Sequence, residues 1–199
     1  MDDTARKNVA PQRPLPMEHD DKPFNDQSID SRPLVLLDVD GVINDLGALY
    51  HQPRSWRIDQ VPSHGWVLHI PDYMPQLIAD LIATAEVWWC TTWRGGANDD
   101  LVDFLGIDPL PVIDDESWGR TVDWKSVGAY PVARAALELG REVFWIEDFY
   151  GEPPTDAMPG GVVFIDTAAE SEFPVLTEDM LPARLRSAVV SAGDGRASA

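Results

Sequence analysis

Two aspartates and a glycine directly follow a short apolar segment early in the chain. Residues 34–37 read Leu-Val-Leu-Leu and lack helical spacing, so they predict a strand buried on both faces of a parallel sheet. Asp38 and Asp40 come next, and Gly41 permits a backbone turn that a side chain would resist. Because open α/β sheets bind ligands at the carboxyl ends of their strands, the two carboxylates indicate a site of chemistry.

The same residues have two ordinary interpretations. An acid at a strand end often caps the next turn or lies in a solvated loop. A calcium loop needs alternating acids before its glycine and a helix on each side, whereas an apolar strand pattern precedes Asp38. The tetrapeptide Asp-Val-Asp-Gly directly after such a strand favours a functional site over both.

A second apolar segment, residues 86–90, ends in two hydroxyls, Thr91 and Thr92. Taken alone, threonines at a strand end indicate a loop cap. Arg94 can form a bidentate contact with a phosphate or pair with a surface acid, and the sequence allows both. For Trp93, a position in the core is a safer prediction than stacking on a base.

A third apolar segment, residues 143–146, ends in two acids, Glu147 and Asp148. Lys125 precedes it and is the only lysine after residue 22. A lone lysine is normally a surface residue, so its assignment depends on its order in the chain. The acid pair at residues 114–115 precedes this lysine and is interpreted as loop.

In this order the segments resemble the four motifs of the haloacid dehalogenase-like (HAD) phosphohydrolase superfamily. Asp38-Val-Asp-Gly-Val resembles the first motif, and the strand pattern ending in Thr91 resembles the second. Lys125 resembles the third, and the strand pattern ending in Glu147 and Asp148 resembles the fourth. Glu147 departs from the usual aspartate, whereas Asp148 occupies the position that normally binds metal. The phrases Asp-Val-Asp-Gly-Val-Ile-Asn, Thr-Thr-Trp and Trp-Ile-Glu-Asp are also similar to the small HAD domains of Swiss Army Knife RNA repair proteins.

The resemblance implies a Mg²⁺-dependent phosphatase that hydrolyses a phosphomonoester through an aspartyl-phosphate intermediate. Asp38 would attack phosphorus, and Asp40 would protonate the leaving oxygen and later activate water. The implied catalytic residues are Asp38, Asp40, Thr91 and Lys125. Further substrate contacts would come from Thr92 and Arg94. The implied metal ligands are Asp38, Asp40 through its backbone carbonyl, and Asp148, with Glu147 as an auxiliary acid.

The chemistry of phosphate esters agrees with this assignment. A free aspartate is a poor nucleophile toward a phosphate dianion because like charges repel, and Mg²⁺ removes that repulsion. Dehalogenase members of the superfamily lack the second aspartate, so Asp40 favours phosphate hydrolysis. The Swiss Army Knife resemblance implies a nucleotide or a nucleic-acid end as substrate, and a small phosphoester or a phosphoprotein stays open. A non-catalytic phospholigand-binding module and a phosphotransferase are the alternative functions.

The elements that must position these residues predict an α/β domain. Strand patterns alternate with helical ones, which favours a Rossmann-like, parallel five-stranded sheet flanked by helices. The predicted strands are residues 34–37, 86–90, 110–113, 143–146 and 161–165. The predicted helices are residues 72–85, capped by Asp72, and residues 98–105, 129–139 and 177–191.

Residues 45–71 form an insertion after the first motif. Two β-like segments, residues 56–61 and 66–70, flank a sequence with turn composition and predict a β-hairpin flap over the site. Such a flap can shield a site from water, but the insertion is too short for a full cap domain. The histidines of this insertion match no metal-ligand spacing and are predicted as polar surface; they are His51, His64 and His69.

Composition sets the class of partner and the domain organisation. With 34 acids, 15 lysines and arginines and a net charge of -19, the chain is expected to avoid broad binding to nucleic-acid backbones and anionic membranes. Cys90 is the single cysteine, so no internal disulfide can form. Residues 1–32 and 192–199 are predicted as disordered tails around a domain of residues 33–191. Without an apolar signal or membrane-spanning segment, we expect a soluble, cytoplasmic protein.

Overall fold

A computed structural model describes residues 31–47, 57–63, 66–114, 124–149, 151–169, 174–182 and 185. The chain divides into two units, Met1–Asp30 and Ser31–Ala199, and every described residue belongs to the second. The predictions for residues 1–30 and 192–199, and those for His51, His64 and Asp115, lie outside the described residues.

Short apolar segments alternate with helices along the chain, as in other α/β domains. In chain order the elements are β1 (Leu34–Leu37), β2 (Ile58–Ser63), β3 (Trp66–Pro71), α1 (Met74–Thr84), β4 (Glu86–Trp89), α2 (Gly96–Leu105), α3 (Trp124–Glu138), β5 (Val143–Glu147) and β6 (Val162–Asp166).

The central sheet is parallel and has the strand order β4-β1-β5-β6. Strand β1 is buried along its whole length, as its unbroken apolar sequence predicts for an inner strand. It pairs with β4 on one side and with β5 on the other. The three strands that carry the sequence motifs are therefore neighbours, and their carboxyl ends meet at one edge of the sheet.

Helices cover both faces of this sheet. Successive side chains of a strand point to opposite faces, and β1 contributes Val35 and Leu37 to one core cluster and Leu34 and Leu36 to another. The first cluster includes apolar residues of α1 and α2, whereas the second includes alanines of α3. The three-layer arrangement is compatible with a Rossmann-like fold.

The described residues give this sheet four strands rather than the predicted five. The segment at residues 110–113 contributes only an isolated parallel bridge between Trp89 and Val112. The Trp89 N–H donates to the Pro111 carbonyl at 2.8 Å, and the Ile113 N–H donates to the Trp89 carbonyl at 2.7 Å. Pro109 and Pro111 have no N–H to donate, which explains why the pairing does not extend into a strand.

The helices agree with the predicted ones except at their boundaries. Helix α1 buries its apolar stripe but begins at Met74, after Tyr73, and no side chain caps it, so the predicted capping role of Asp72 is wrong. Helix α3 begins at Trp124, which places Lys125 in its first turn. The predicted helix at residues 177–191 is the exception, and its predicted start is wrong: Glu178–Met180 is a short 3₁₀ turn, and residues 181–182 are not helical. Residue 185 is helical, and residues 183–184 and 186–191 lie outside the described part.

The predicted hairpin is present as a separate two-stranded antiparallel sheet of β2 and β3. Two hydrogen bonds join β3 to the residues that follow β1. The Asp45 N–H donates to the His69 carbonyl at 2.7 Å, and the His69 N–H donates to Asn44 Oδ1 at 2.9 Å. The hairpin is thus attached next to the carboxyl end of β1. Within the described ranges, no helix combines the length and apolar character that crossing a bilayer requires.

Candidate active site

Asp38 is the first residue after β1, and it is buried. Its Oδ1 accepts the Val39 N–H at 2.8 Å, and its Oδ2 accepts a hydrogen bond from Lys125 Nζ at 2.9 Å. The buried Thr91 side chain, just after β4, also lies near this carboxylate and favours its charged form, which lowers its pKa. Three of the four predicted catalytic residues are therefore brought together, although they come from three separate parts of the chain.

Lys125 joins Asp38 to the end of β5. Its ammonium donates to Glu147 Oε1 at 2.5 Å as well as to Asp38. The second oxygen of Glu147 accepts the indole N–H of Trp145 at 2.8 Å. Both oxygens of Glu147 thus accept hydrogen bonds, and the one from Lys125 holds the ammonium beside Asp38.

Three carboxylates at this edge form a group that can hold a metal ion. One oxygen each from Asp38, Glu147 and Asp148 lies within 4.8 Å of the others. Mg²⁺ binds oxygens at about 2.0–2.1 Å in octahedral geometry, so ligands on opposite sides are about 4 Å apart. The three carboxylates are close to that spacing and offer the hard oxygen donors that such a cation prefers, and Asp148 stands where a ligand was predicted.

Gly41 makes room for the Asp148 carboxylate. A Cβ added at Gly41 would lie 2.4 Å from Asp148 Oδ2 and 2.6 Å from Asp148 Cβ. Gly41 also has φ +70°, a backbone conformation that glycine adopts without the penalty that other residues pay. Gly41 thus has two roles: it allows the turn after β1, and it leaves space for the Asp148 side chain after β5.

Substitution of Gly41 by alanine is expected to displace Asp148 and to weaken Mg²⁺ binding about tenfold or more, measured by isothermal titration calorimetry. Gly106→Ala is the matched control, because Gly106 has φ +67° but nothing within 4 Å of an added Cβ. Both variants carry the backbone strain of about 1–2 kcal/mol, and only Gly41→Ala adds the clash. Equal Mg²⁺ affinity in the two variants would contradict this placement of Asp148.

Burial and crowding of like charges shift the ionisation of the site. Burial raises the pKa of Asp38 despite the lowering effect of Lys125. Burial and the charge of Asp38 raise the pKa of Glu147 to about 7. Burial alone would lower the pKa of Lys125, but Asp38 and Glu147 outweigh it, and the pKa is raised. Lys125 is therefore a fixed positive charge between two carboxyl groups whose negative charge is costly to bury.

Asp40 is half-buried and its side chain does not belong to the three-carboxylate group. Its Oδ1 accepts a hydrogen bond from Asn44 Nδ2 at 2.9 Å, and its Oδ2 accepts one from Trp93 Nε1 at 2.8 Å. The Trp93 ring packs against the larger core cluster, as predicted, but its N–H was not assigned a role. A buried indole N–H usually has a partner, and that general rule is the signal by which it could have been sought.

Thr92 and Arg94, the two predicted substrate contacts, lie in the turn after β4. Thr92 is exposed. Arg94 forms an ion pair with Asp114, which is the surface pairing that the sequence allowed as one of two alternatives. The predicted contact of these two residues with substrate stays a prediction. The Asp114 carboxylate pairs with this arginine, in agreement with its interpretation as a loop residue.

At one edge of the sheet the chain thus combines a buried carboxylate, a lysine, a hydroxyl and two further acids, with a fourth carboxylate fixed beside them. Comparisons of the chain with models of protein families, with curated proteins and with solved structures find no match.

Proposed function

We propose that the protein is a Mg²⁺-dependent phosphatase of the HAD type, which hydrolyses a phosphomonoester through an aspartyl-phosphate on Asp38. The observation that supports this most is the position of Lys125, which donates to both Asp38 and Glu147 next to Asp148. A carboxylate nucleophile, a fixed cation and oxygen donors for a metal are what transfer of a phosphoryl group to an aspartate requires.

Asp38 and Asp148, with the backbone carbonyl of Asp40, would hold the ion. When bound, Mg²⁺ would neutralise charge between the Asp38 carboxylate and the phosphate dianion. The hydrogen bond from the Val39 N–H fixes the rotation of the Asp38 carboxylate. Glu147 would keep Lys125 directed at the same point.

In the first half of the reaction, an Asp38 oxygen forms a bond to phosphorus while the bond from phosphorus to the ester oxygen breaks. Asp40 gives its proton to the departing oxygen, which leaves as an alcohol. Lys125 and Thr91 donate hydrogen bonds to the phosphoryl oxygens as charge builds up on them. In the second half, Asp40 takes a proton from water, the water oxygen attacks phosphorus, and the bond to Asp38 breaks to release inorganic phosphate.

We further propose that the substrate is a nucleotide or a phosphorylated nucleic-acid end in the cytoplasm. The hairpin of β2 and β3, which is hydrogen-bonded to Asn44 and Asp45 beside the carboxyl end of β1, would contact the organic part of the substrate. The net charge of -19 disfavours binding along a nucleic-acid strand. A small cationic pocket around Lys125 would still accommodate one terminal phosphate.

A phosphoester panel assayed with Mg²⁺ and with a chelator tests this function. The panel contains nucleotides, oligonucleotides with a 3′- or 5′-phosphate, aryl phosphates and a phosphopeptide. We expect release of inorganic phosphate that depends on Mg²⁺ and is fastest with a nucleotide or an oligonucleotide end. Absence of Mg²⁺-dependent release from every member would contradict the proposal, and transfer to an added nucleoside would identify a phosphotransferase instead.

A further inference from the structure

The two hydrogen bonds to Asp40 leave its carboxylate little freedom to rotate. Asn44 occupies one oxygen and Trp93 the other, and each donor comes from a different segment of the chain. An indole nitrogen can only donate, so Trp93 must present its N–H to Asp40 Oδ2. Asp40 is half-buried, so the carboxylate keeps an open side while these two donors hold it.

The orientation of the Asn44 amide is fixed by its other contact. Its Oδ1 accepts the backbone N–H of His69 at 2.9 Å, and a backbone N–H can only donate. The amide nitrogen therefore faces Asp40. Through this one side chain, strand β3 of the hairpin is connected to the carboxylate of Asp40.

The turn after β4 brings Trp93 to the same carboxylate. Thr91 Oγ1 accepts the backbone N–H of Trp93 at 3.3 Å, and the backbone N–H of Arg94 donates to the Thr91 carbonyl at 3.1 Å. Arg94 has φ 51°, the only positive value for a residue other than glycine in the described part of the chain. Such a conformation is uncommon for a long side chain and is often found next to functional residues.

We propose that Trp93 and Asn44 are positioning residues that hold the Asp40 carboxylate in the orientation for proton transfer to the leaving oxygen, and that Asn44 links this orientation to the hairpin. The inference rests on the proposed phosphatase function and deepens it. Neither residue needs to touch the substrate. Their contribution is geometric, since proton transfer in the transition state depends steeply on the placement of the donor.

Trp93→Phe tests the role because it keeps an aromatic ring and removes the N–H. Trp88→Phe is the matched control: Trp88 lies in β4 and donates its indole N–H to Glu86 Oε1 at 2.9 Å, at the opposite end of that strand. The probes are aryl and alkyl phosphates whose leaving alcohols differ widely in acidity, each assayed with saturating Mg²⁺. The ratio kcat/KM is measured because it reports on the first half of the reaction, in which the leaving oxygen takes its proton.

We expect Trp93→Phe to lower kcat/KM about tenfold or more for an alkyl phosphate, which needs a proton donor, and less than about twofold for 4-nitrophenyl phosphate. Trp88→Phe should leave the dependence on the leaving group as in the wild-type protein. Asn44→Ala removes the amide donor to Asp40 together with the acceptor for the His69 N–H, and should make the dependence of kcat/KM on the leaving group steeper in the same way.

An equal loss for all leaving groups in both Trp93→Phe and Asn44→Ala would overturn the positioning role, because a purely structural defect does not distinguish leaving groups. The failure of the underlying function has a different signature. If Asp38→Asn hydrolysed the same phosphates as fast as the wild-type protein, the phosphatase assignment itself would be wrong.

Discussion

Asp38→Asn is expected to lower the rate of Mg²⁺-dependent phosphate release by about 10³-fold or more without unfolding the protein. An amide oxygen is a much weaker nucleophile than a carboxylate, and the substitution also removes a metal ligand. The fold should tolerate it, because the asparagine can still accept the Val39 N–H and Lys125 keeps Glu147 as a partner. We expect the free energy of unfolding to change by less than about 2 kcal/mol, measured by urea denaturation.

The control for this variant is Asp80→Asn. Asp80 is also a buried carboxylate, 7% exposed, but it lies in α1 and accepts a hydrogen bond from Gln76 Nε2 at 2.8 Å. We expect this variant to retain phosphate release close to the wild-type rate. If the two variants lost activity to the same extent, the loss would come from removal of a buried charge in general, and Asp38 would have no special role.

Lys125→Met is expected to destabilise the protein by about 3 kcal/mol or more at pH 8 and to abolish most activity. The ammonium is the cation shared by Asp38 and Glu147, whose side chains are 6% and 15% exposed. Methionine has a similar length and can fill the same space, so the main loss is the charge. The carboxylates of Asp38 and Glu147 then lie close together with no positive charge between them. Chemical denaturation with and without Mg²⁺ measures the resulting loss in the free energy of unfolding.

The destabilisation caused by Lys125→Met should become smaller as the pH falls. The pKa of Glu147 is already raised to about 7, and that of Asp38 is raised by burial; removing Lys125 raises both further. A carboxyl whose pKa is higher in the folded state binds its proton more tightly there, so folding is favoured at low pH and this stability is lost as pH rises. The difference between Lys125→Met and the wild-type protein should therefore shrink between pH 8 and pH 5.

Arg134→Met supplies the matched control on the same helix. Arg134 forms an exposed i,i+4 ion pair with Glu138, so we expect little change in stability at either pH. The double variant Lys125→Met with Glu147→Gln should recover part of the lost stability, because it removes one of the two uncompensated charges. A Lys125→Met protein as stable as the wild-type protein at pH 8 would show that the buried carboxylates do not need this cation.

The sequence was most informative about the strands of the sheet and the polar residues that follow them. The apolar segment at residues 34–37 predicts the bounds of β1, and the polar residues that follow β1, β4 and β5 predict which edge of the sheet holds the site. Lys125 is assigned by order alone, and its contacts with Asp38 and Glu147 agree with that assignment. For β1, β4 and β5, parallel pairing brings together the residues that follow the strands, so knowledge of the strands was sufficient. Lys125 instead reaches them from the first turn of α3.

The sequence was least informative where a contact depends on the path of a single side chain. Trp93 was assigned to the core, which its ring contacts, but the partner of its N–H is 53 positions away in the chain. The ion pair of Arg94 with Asp114 depends on the turn after β4, which sets the direction of the side chain. The extra strand at residues 110–113 was predicted from apolar composition, and the two prolines there outweighed that tendency.

The hairpin of β2 and β3 forms its own two-stranded sheet, and neither strand joins the main one. The connection between Ser63 and Trp66 can therefore be lengthened or exchanged without altering the register of β1, the strand that Asp38 follows. Variation of this kind would let one scaffold acquire new selectivities in evolution, because the reacting groups are inherited unchanged. Under the proposed phosphatase function, new loops between Ser63 and Trp66 would be the first change to test when a different alcohol moiety is to be accepted.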